Sequence, residues 1–179
     1  MILTLVAISG IYAYVPGAAA GVIPGGLPTL AKARALGAQA NFSAGDILAP
    51  GAALVISPSS KTHMAVTWYL ESDTTNIIGL TYDVCPITLQ IKSFKAGSFN
   101  FTLGVGIFSN THFPEDRATH DISVTGGLRV PVGFNLLLAE NFFEIYVHVA
   151  PSFGVLFTPE LELEKPFYAY ALGARIWFR

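Results

Sequence analysis

The residues of this chain that could do chemistry occur in two settings: within alternating apolar segments, and in the polar stretches between those segments. Inside the segments, several ionisable side chains fall on the polar positions, and we single out Glu144, His148, Arg175 and Arg129. If the segments are strands of a narrow barrel, these side chains point inward, where an unpaired charge costs several kcal/mol. The sequence therefore predicts a polar network in the lumen of a barrel.

The partners within this network depend on the register of the last two strands. Counting back from the connection at 158–165 places Arg175 across from His148, with Glu144 two inward positions further along. The network could be a structural plug, or His148 could titrate near neutral pH as part of a gated proton or ion path. We adopt the plug, because an eight-stranded barrel has an interior just wide enough for side chains.

The second group of residues lies in two polar stretches, Ser109–His120 and Thr158–Lys165, which we expect to be loops at one end of the barrel. Their charged and imidazole side chains are His112, Glu115, Asp116, Arg117, His120, Glu160, Glu162 and Glu164. The spacing matches no compact zinc motif, and no glycine-rich phosphate loop joins a strand to a helix. We therefore expect an extracellular binding surface here, with no metal and no cofactor.

The strands that would position these residues are clearest at the end of the sequence. Between Pro166 and Arg179, one face carries Tyr168, Tyr170, Leu172, Ala174, Ile176 and Phe178. The other face is mostly small and contains a single arginine. Aromatic residues at both ends of an apolar face, on a segment of this length, are typical of a strand that crosses a bilayer.

Seven earlier segments are predicted to be strands, and most of them alternate in the same way, the first being the least clear. Their predicted bounds are Pro50–Ser57, His63–Glu71, Asn76–Cys85, Ile87–Phe94, Ser98–Phe108, Asp121–Leu138 and Phe143–Phe157. The bulky apolar face of the later segments carries no charge, which is the reverse of what a soluble lipocalin-like barrel needs. The sequence thus predicts an all-β fold, an eight-stranded antiparallel transmembrane up-and-down barrel over residues 47–179.

The connections between these segments predict the orientation. Short connections at Ser72–Thr75, Ala96–Gly97 and Ala139–Asn141 are assigned to the periplasmic side, and the two polar stretches to the outside. The connection at Cys85–Pro86 departs from this pattern, because it is tight for an outer loop.

Composition agrees with a membrane barrel. The chain of 179 residues is 52% hydrophobic and 12% charged, and the charged share is about half that of a typical globular domain. A net charge of -2 argues against a nucleic-acid partner, and the single cysteine excludes an internal disulfide. Residues 1–20 are expected to be a signal peptide, although no basic residue precedes the apolar run, and residues 21–46 an N-terminal leader or tail.

Three ordered segments carry a family resemblance. They are Gly127–Gly133 (GLRVPVG), Phe143–Pro151 (FEIYVHVAP) and Leu172–Phe178 (LGARIWF). Together they resemble the small spirochaetal outer-membrane barrels, which are grouped with eight-stranded OmpA/OmpX/OmpW-type proteins. The resemblance covers about residues 50–179 and implies a location in the bacterial outer membrane, while the functions within the family are varied.

We therefore expect a non-enzymatic, monomeric barrel surrounded by membrane lipid. It would present its loops to an extracellular protein or small hydrophobic ligand, or support envelope integrity. Two alternatives stay open. The OmpW-type resemblance implies a narrow channel for small hydrophobic solutes, and a lipid acyltransferase site at the rim could use Ser109, His112 and Asp116, although composition alone supports it.

Overall fold

The computed structural model describes residues 22–24, 33–44, 50–70, 75–114, 122–158 and 160–178. Its elements are the strands β1 (Val22–Pro24), β2 (Arg34–Ala44), β3 (Gly51–Ser59), β4 (Thr62–Tyr69), β5 (Thr75–Phe94), β6 (Gly97–Pro114), β7 (Ser123–Arg129), β8 (Val132–Leu138), β9 (Phe143–Thr158), β10 (Glu160–Leu163) and β11 (Phe167–Phe178). No helix among these residues is long and apolar enough to cross a membrane.

All strands except β1 join in one closed antiparallel ring. β7 and β8 are two parts of one strand, interrupted at Val130–Pro131, and β10 continues into β11 through 164–166. With each interrupted strand counted once, the ring has eight strands, and β11 closes it by pairing with β2. The predicted all-β, eight-stranded antiparallel fold is confirmed.

The strands are tilted relative to the barrel axis, as the register shows. A path of paired residues that starts at Thr88 returns to the same strand at Ile77, eleven residues away, after passing Thr102, Gly133, His148, Ala171, Asn41, Gly51 and Tyr69. One residue of this offset comes from a bulge in β5, and the rest is the stagger that closure with tilted strands requires.

The eight strands differ from the eight predicted ones at the N-terminal side. β2 lies inside the segment predicted to be a leader or tail, and it pairs with both β3 and β11. The barrel therefore begins before residue 47, and that predicted boundary is wrong. Leu36 and Phe42 face outward while Gln39 and Asn41 face inward, but alanines on both faces weaken the alternation. The predicted signal peptide lies outside the described residues.

The predicted strands Asn76–Cys85 and Ile87–Phe94 are one strand, β5. A register shift between Val84 and Ile87 inserts one extra residue opposite β6, so the inward face moves from Cys85 to Thr88. Such a bulge tolerates Pro86, which has no N–H for the ladder. The chain therefore makes no connection at Cys85–Pro86. The predicted count of eight strands is right only because β2 was missed while β5 was counted twice.

This correction also changes which connections share an end of the barrel. We name the end with Ser60–Lys61, Lys95–Ala96 and Ala139–Phe142 the turn end, and the opposite end the loop end. The connection after β4 lies at the loop end, so its predicted place among the short turns is wrong. The predicted loops are also partly strand, because β6 continues to Pro114 and β10 occupies 160–163.

The two faces of the wall have opposite chemistry. Large apolar side chains are exposed around the outside, including Leu54, Val66, Leu80, Ile107, Val147 and Leu172. The buried side chains inside are largely polar or charged. Because side chains alternate along each strand, this separation follows directly from the period-two pattern.

Candidate functional site

The lumen is filled from one end to the other by three layers of side chains. At the turn end, Trp177 and Leu137 pack with two alanines, Ala33 and Ala35. At the loop end, three aromatic residues, Tyr69, Phe108 and Phe167, form with Ile77 what we call the aromatic layer. The Phe108 and Phe167 rings meet edge to face at 5.5 Å. Between these layers lies a polar network, which is the candidate functional site.

The centre of this network is a bidentate ion pair between Arg175 and Glu144. Arg175 Nε donates to Glu144 Oε2 and Arg175 Nη2 to Oε1, both at 2.8 Å. The same carboxylate accepts from Trp177 Nε1 at 2.6 Å and from Asn135 Nδ2 at 2.8 Å. Glu144 is fully buried, so these four charge-assisted bonds replace the water that it loses.

The network extends from Arg175 toward the loop end through His63. Arg175 Nη1 donates to Ser57 Oγ at 2.7 Å and lies 3.0 Å from His63 Nδ1. A guanidinium can only donate, so His63 Nδ1 accepts and the proton of the neutral ring is on Nε2. His63 Nε2 then donates to Gln39 Oε1 at 3.1 Å, and this oxygen also accepts from Tyr146 at 2.8 Å. The direction of each hydrogen bond is therefore fixed.

A second buried ion pair joins Asp83 and Arg129. Arg129 Nε lies 3.2 Å from Asp83 Oδ1, although neither atom has hydrogen-bond geometry. Gly106 lies between them in the wall and pairs with both residues. A Cβ at Gly106 would overlap the Asp83 carboxylate, so a glycine there leaves space for the pair to form.

Glycines occupy the same kind of position beside the other large inward side chains. Gly37 is paired with Arg175, Gly133 with His148 and Gly173 with Tyr146. In each case an added Cβ would collide with its partner residue. Glycines at these inward positions therefore leave the space that the side chains of the polar network occupy.

The structure brings the four predicted lumen residues inside the barrel but changes the predicted register. Arg175 pairs directly with Glu144, whereas His148 pairs with Ala171. The predicted placement of Arg175 across from His148 is therefore wrong by four residues. His148 is buried beside the rings of His63 and Tyr146, and Arg129 is paired with Asp83 rather than with this cluster.

Several members of the network were not singled out from the sequence. They are Ser57, His63, Asp83, Asn135, Tyr146, Trp177 and Gln39. All except Gln39 lie on segments predicted to be strands, so strict inward parity would have found them. Gln39 lies on β2, the strand that was missed.

The predicted rim residues are only partly described. Glu115, Asp116, Arg117 and His120 lie outside the described residues, as does the side chain of Glu160. His112 belongs to β6, and Glu162 is exposed on β10. Glu164 accepts a hydrogen bond from Thr125 at 3.0 Å, which ties the β9–β10 hairpin to β7. The two predicted loops therefore arise from adjacent hairpins.

The alternative acyltransferase site and the expected absence of a metal site can be set beside this geometry. Ser109 and His112 are three residues apart on β6, so they face opposite sides of the wall and do not converge as a nucleophile and its base. Within the described ranges, no three His, Cys, Asp or Glu side chains come together as a metal site.

Comparison with known proteins gives one similar solved structure and no match from sequence. The chain is similar to the N-terminal β-barrel domain of Pseudomonas aeruginosa OprF, with a TM-score of 0.48 and 11% sequence identity, covering 83% of this chain and 99% of that chain. No family model matches the sequence. No curated protein matches it either.

Proposed function

We propose that this chain is a membrane-spanning barrel of the bacterial outer membrane that has a closed lumen and acts through its loop end. The observation that carries the proposal is the apolar outer wall around a polar, filled interior. An apolar surface of this extent is unsuited to water but suited to hydrocarbon. In lipid, a closed ring also satisfies the backbone groups of the wall strands wherever they are paired.

The positions of the exposed aromatic residues support a bilayer boundary at each end. Tyr168, Trp68 and Phe42 are exposed toward the loop end, and Phe178 and Phe142 toward the turn end. Tyr168 and Phe178 lie ten residues apart on β11. At ~3.3 Å per residue and a tilt of ~40°, this separation spans roughly 25 Å, the height of the apolar band in outer-membrane barrels.

The filled lumen argues against a conduit for solutes. The aromatic layer closes the loop end, and the Arg175–Glu144 network occupies the middle. One cavity of about 20 Å³ lies beside this network, enough for a single water molecule. We therefore expect small or absent conductance, and we place binding at the surface formed by the β6–β7 and β9–β10 hairpins.

The loop-end surface combines two properties that suit recognition of a protein or a small hydrophobic ligand. Leu161 and Leu163 are 73% and 81% exposed on the outward face of β10, beyond the aromatic boundary. The exposed carboxylate of Glu162 alternates with them along the same strand. This function requires no catalysis, and the proposed barrel is a non-enzymatic monomer.

A loop replacement tests the proposal. In one variant, short Asn-Gly turns replace the tips of the β6–β7 and β9–β10 hairpins, and in a matched control Asn-Gly replaces Glu140–Asn141 at the turn end. Parent and variants are compared for folding, conductance in planar bilayers, and binding to a panel of soluble proteins and a fluorescent fatty acid. We expect low conductance in all three proteins, and binding that is lost only in the loop-end variant. A large open channel in the parent, or binding that survives the loop-end replacement, would favour the conduit.

A further inference from the structure

We propose that β1 is a strap that closes a side opening in the barrel wall and so controls access from the turn end to the polar cavity of the lumen. The opening arises because β4 and β5 differ in length. β4 pairs with β5 only as far as Thr62 and Val84, and Cys85 N then donates to Lys61 O in the β3–β4 turn at 2.7 Å. β5 continues past this point to Phe94.

Beyond Cys85, the β4 side of β5 meets only β1 among the described residues. Val22, Ile23 and Pro24 pair with Leu89, Thr88 and Ile87 in antiparallel register. Ile87 and Ile91 are exposed on the outer wall, so this part of β5 belongs to the apolar band. An unpaired strand edge is costly in lipid, which gives β1 a physical reason to lie at this position.

The same opening leads to the polar cavity. The wall of this cavity includes Lys61 and Thr62 at the β3–β4 turn, and Cys85 and Thr88 on β5. On the inner side it reaches Glu144 and Arg175. Thr88 is therefore both a wall residue of the cavity and one of the three β5 residues with which β1 pairs. A strand that leaves Thr88 uncovers the cavity without disturbing the ring.

Asn135 supports an exchange with solvent at this cavity. Its side chain lines the cavity and is 93% buried, because its exposed fraction is 7%, and its Oδ1 has no protein partner. A buried carbonyl oxygen needs a hydrogen-bond donor, and a volume of about 20 Å³ is enough for a water molecule to supply it. We infer that water enters here from the turn end, with β1 as the element that opens.

Cys85 is a built-in reporter for this movement, because it is the single cysteine of the chain and lines the cavity. The test variant is Val22→Pro with Ile23→Pro. Consecutive N–H groups point to opposite edges of a strand, so this pair removes an N–H facing β5 in either register. The matched control, Val22→Ile with Ile23→Val, keeps two β-branched residues and the backbone bonds. Circular dichroism and heat-dependent gel migration establish that each variant is a folded barrel.

The full-length proteins in lipid vesicles are treated with a small charged methanethiosulfonate. We expect Cys85 of the parent and the control to react slowly and at equal rates. The proline variant should react at least about tenfold faster, because weaker pairing between β1 and β5 leaves the cavity open for a larger fraction of the time. Conductance should stay low in all three, since the aromatic layer at the loop end is unchanged. Equal rates of Cys85 labelling in the proline variant and the control would overturn the proposal that β1 covers the opening.

A cross-link tests the pairing independently of cavity access. In a Cys85→Ser background, Ile23→Cys with Thr88→Cys should form a disulfide under mild oxidation, whereas Ile23→Cys with Ser93→Cys should not. The proposal requires both this register-specific disulfide and the faster labelling of the proline variant. A disulfide without faster labelling would mean that β1 pairs with β5 but does not cover the opening, and its absence would mean that β1 lies elsewhere. Either result contradicts the proposal.

Discussion

Glu144 shows at the scale of single residues why the lumen is rigid. One carboxylate accepts hydrogen bonds from Arg175, Trp177 and Asn135, and Arg175 in turn donates to Ser57 and His63. These residues come from β3, β4, β8, β9 and β11, so the network links both sides of the barrel across the lumen. Loss of one member leaves the others buried with unmet hydrogen bonds.

The Glu144–Arg175 pair can be measured by a double-mutant cycle. Glu144→Ala leaves a buried guanidinium short of its acceptor, and we expect a loss of about 3–5 kcal/mol in the free energy of unfolding. Adding Arg175→Met removes the unpaired charge and should recover part of that loss. Urea unfolding in lipid vesicles gives the four free energies, and Glu162→Ala, at an exposed carboxylate, should change stability by only about 0.5 kcal/mol. A coupling energy near zero would show that the two residues do not interact.

The sequence predicted which way the residues of this site point, but not their partners. Inward parity holds for any register, and the side chains of Glu144, His148 and Arg175 are buried inside the barrel. Partner identity depends on where the chain reverses, and the prediction assumed the middle of 158–165. Thr158 pairs with Glu160, so the chain reverses closer to Thr158 than was assumed. That register alone would place Arg175 opposite Phe143, and a shift of one residue between β10 and β11 places it opposite Glu144.

At the scale of the elements, the turn between β8 and β9 has an unusual backbone. Ala139, Glu140 and Asn141 have positive φ angles of 50°, 59° and 69°. Phe142 N donates to Ala139 O at 3.1 Å, which closes a two-residue β-turn around Glu140 and Asn141. Two positive φ angles at these positions define a type I′ turn, which strongly favours Asn-Gly.

This turn predicts a stabilising substitution. Glu140→Gly removes left-handed strain of about 1–2 kcal/mol, while the greater freedom of glycine in the unfolded chain costs about 0.5–1 kcal/mol. We therefore expect a net gain of about 0.5–1 kcal/mol in the free energy of unfolding. Ala96→Gly, in the β5–β6 turn at the same end, is the control. Ala96 has no positive φ angle, so this change should destabilise slightly. A loss of stability in both variants would contradict a strain at Glu140.

The elements themselves were predictable where one face was bulky and apolar and the other was not. β6, β9 and β11 satisfy this condition along most of their length. β2 does not, because Ala35, Ala38 and Ala40 dilute both faces. In β5 the bulge reverses the phase of the alternation at Pro86, and a sequence cannot distinguish a phase reversal within a strand from a turn between two strands.

At the scale of the whole molecule, the barrel separates two environments. The wall presents side chains suited to lipid, the lumen is closed by its own residues, and the hairpins of the loop end extend past the aromatic boundary. Under the proposed function, the loop end is the part of the described molecule that contacts a partner. The central claim is therefore that the apolar band of the wall lies in a bilayer.

That claim is tested most directly by placing an arginine on one outward face at two depths. Val147 pairs with Leu172, about midway between Tyr168 and Phe178 on β11, and Leu163 lies on β10, beyond the aromatic boundary, with 81% of its surface exposed. For reversible unfolding from lipid vesicles, we predict that Val147→Arg lowers the free energy of unfolding by about 2–4 kcal/mol, and Leu163→Arg by about 0–1 kcal/mol. Equal losses at the two positions would contradict a membrane around this wall.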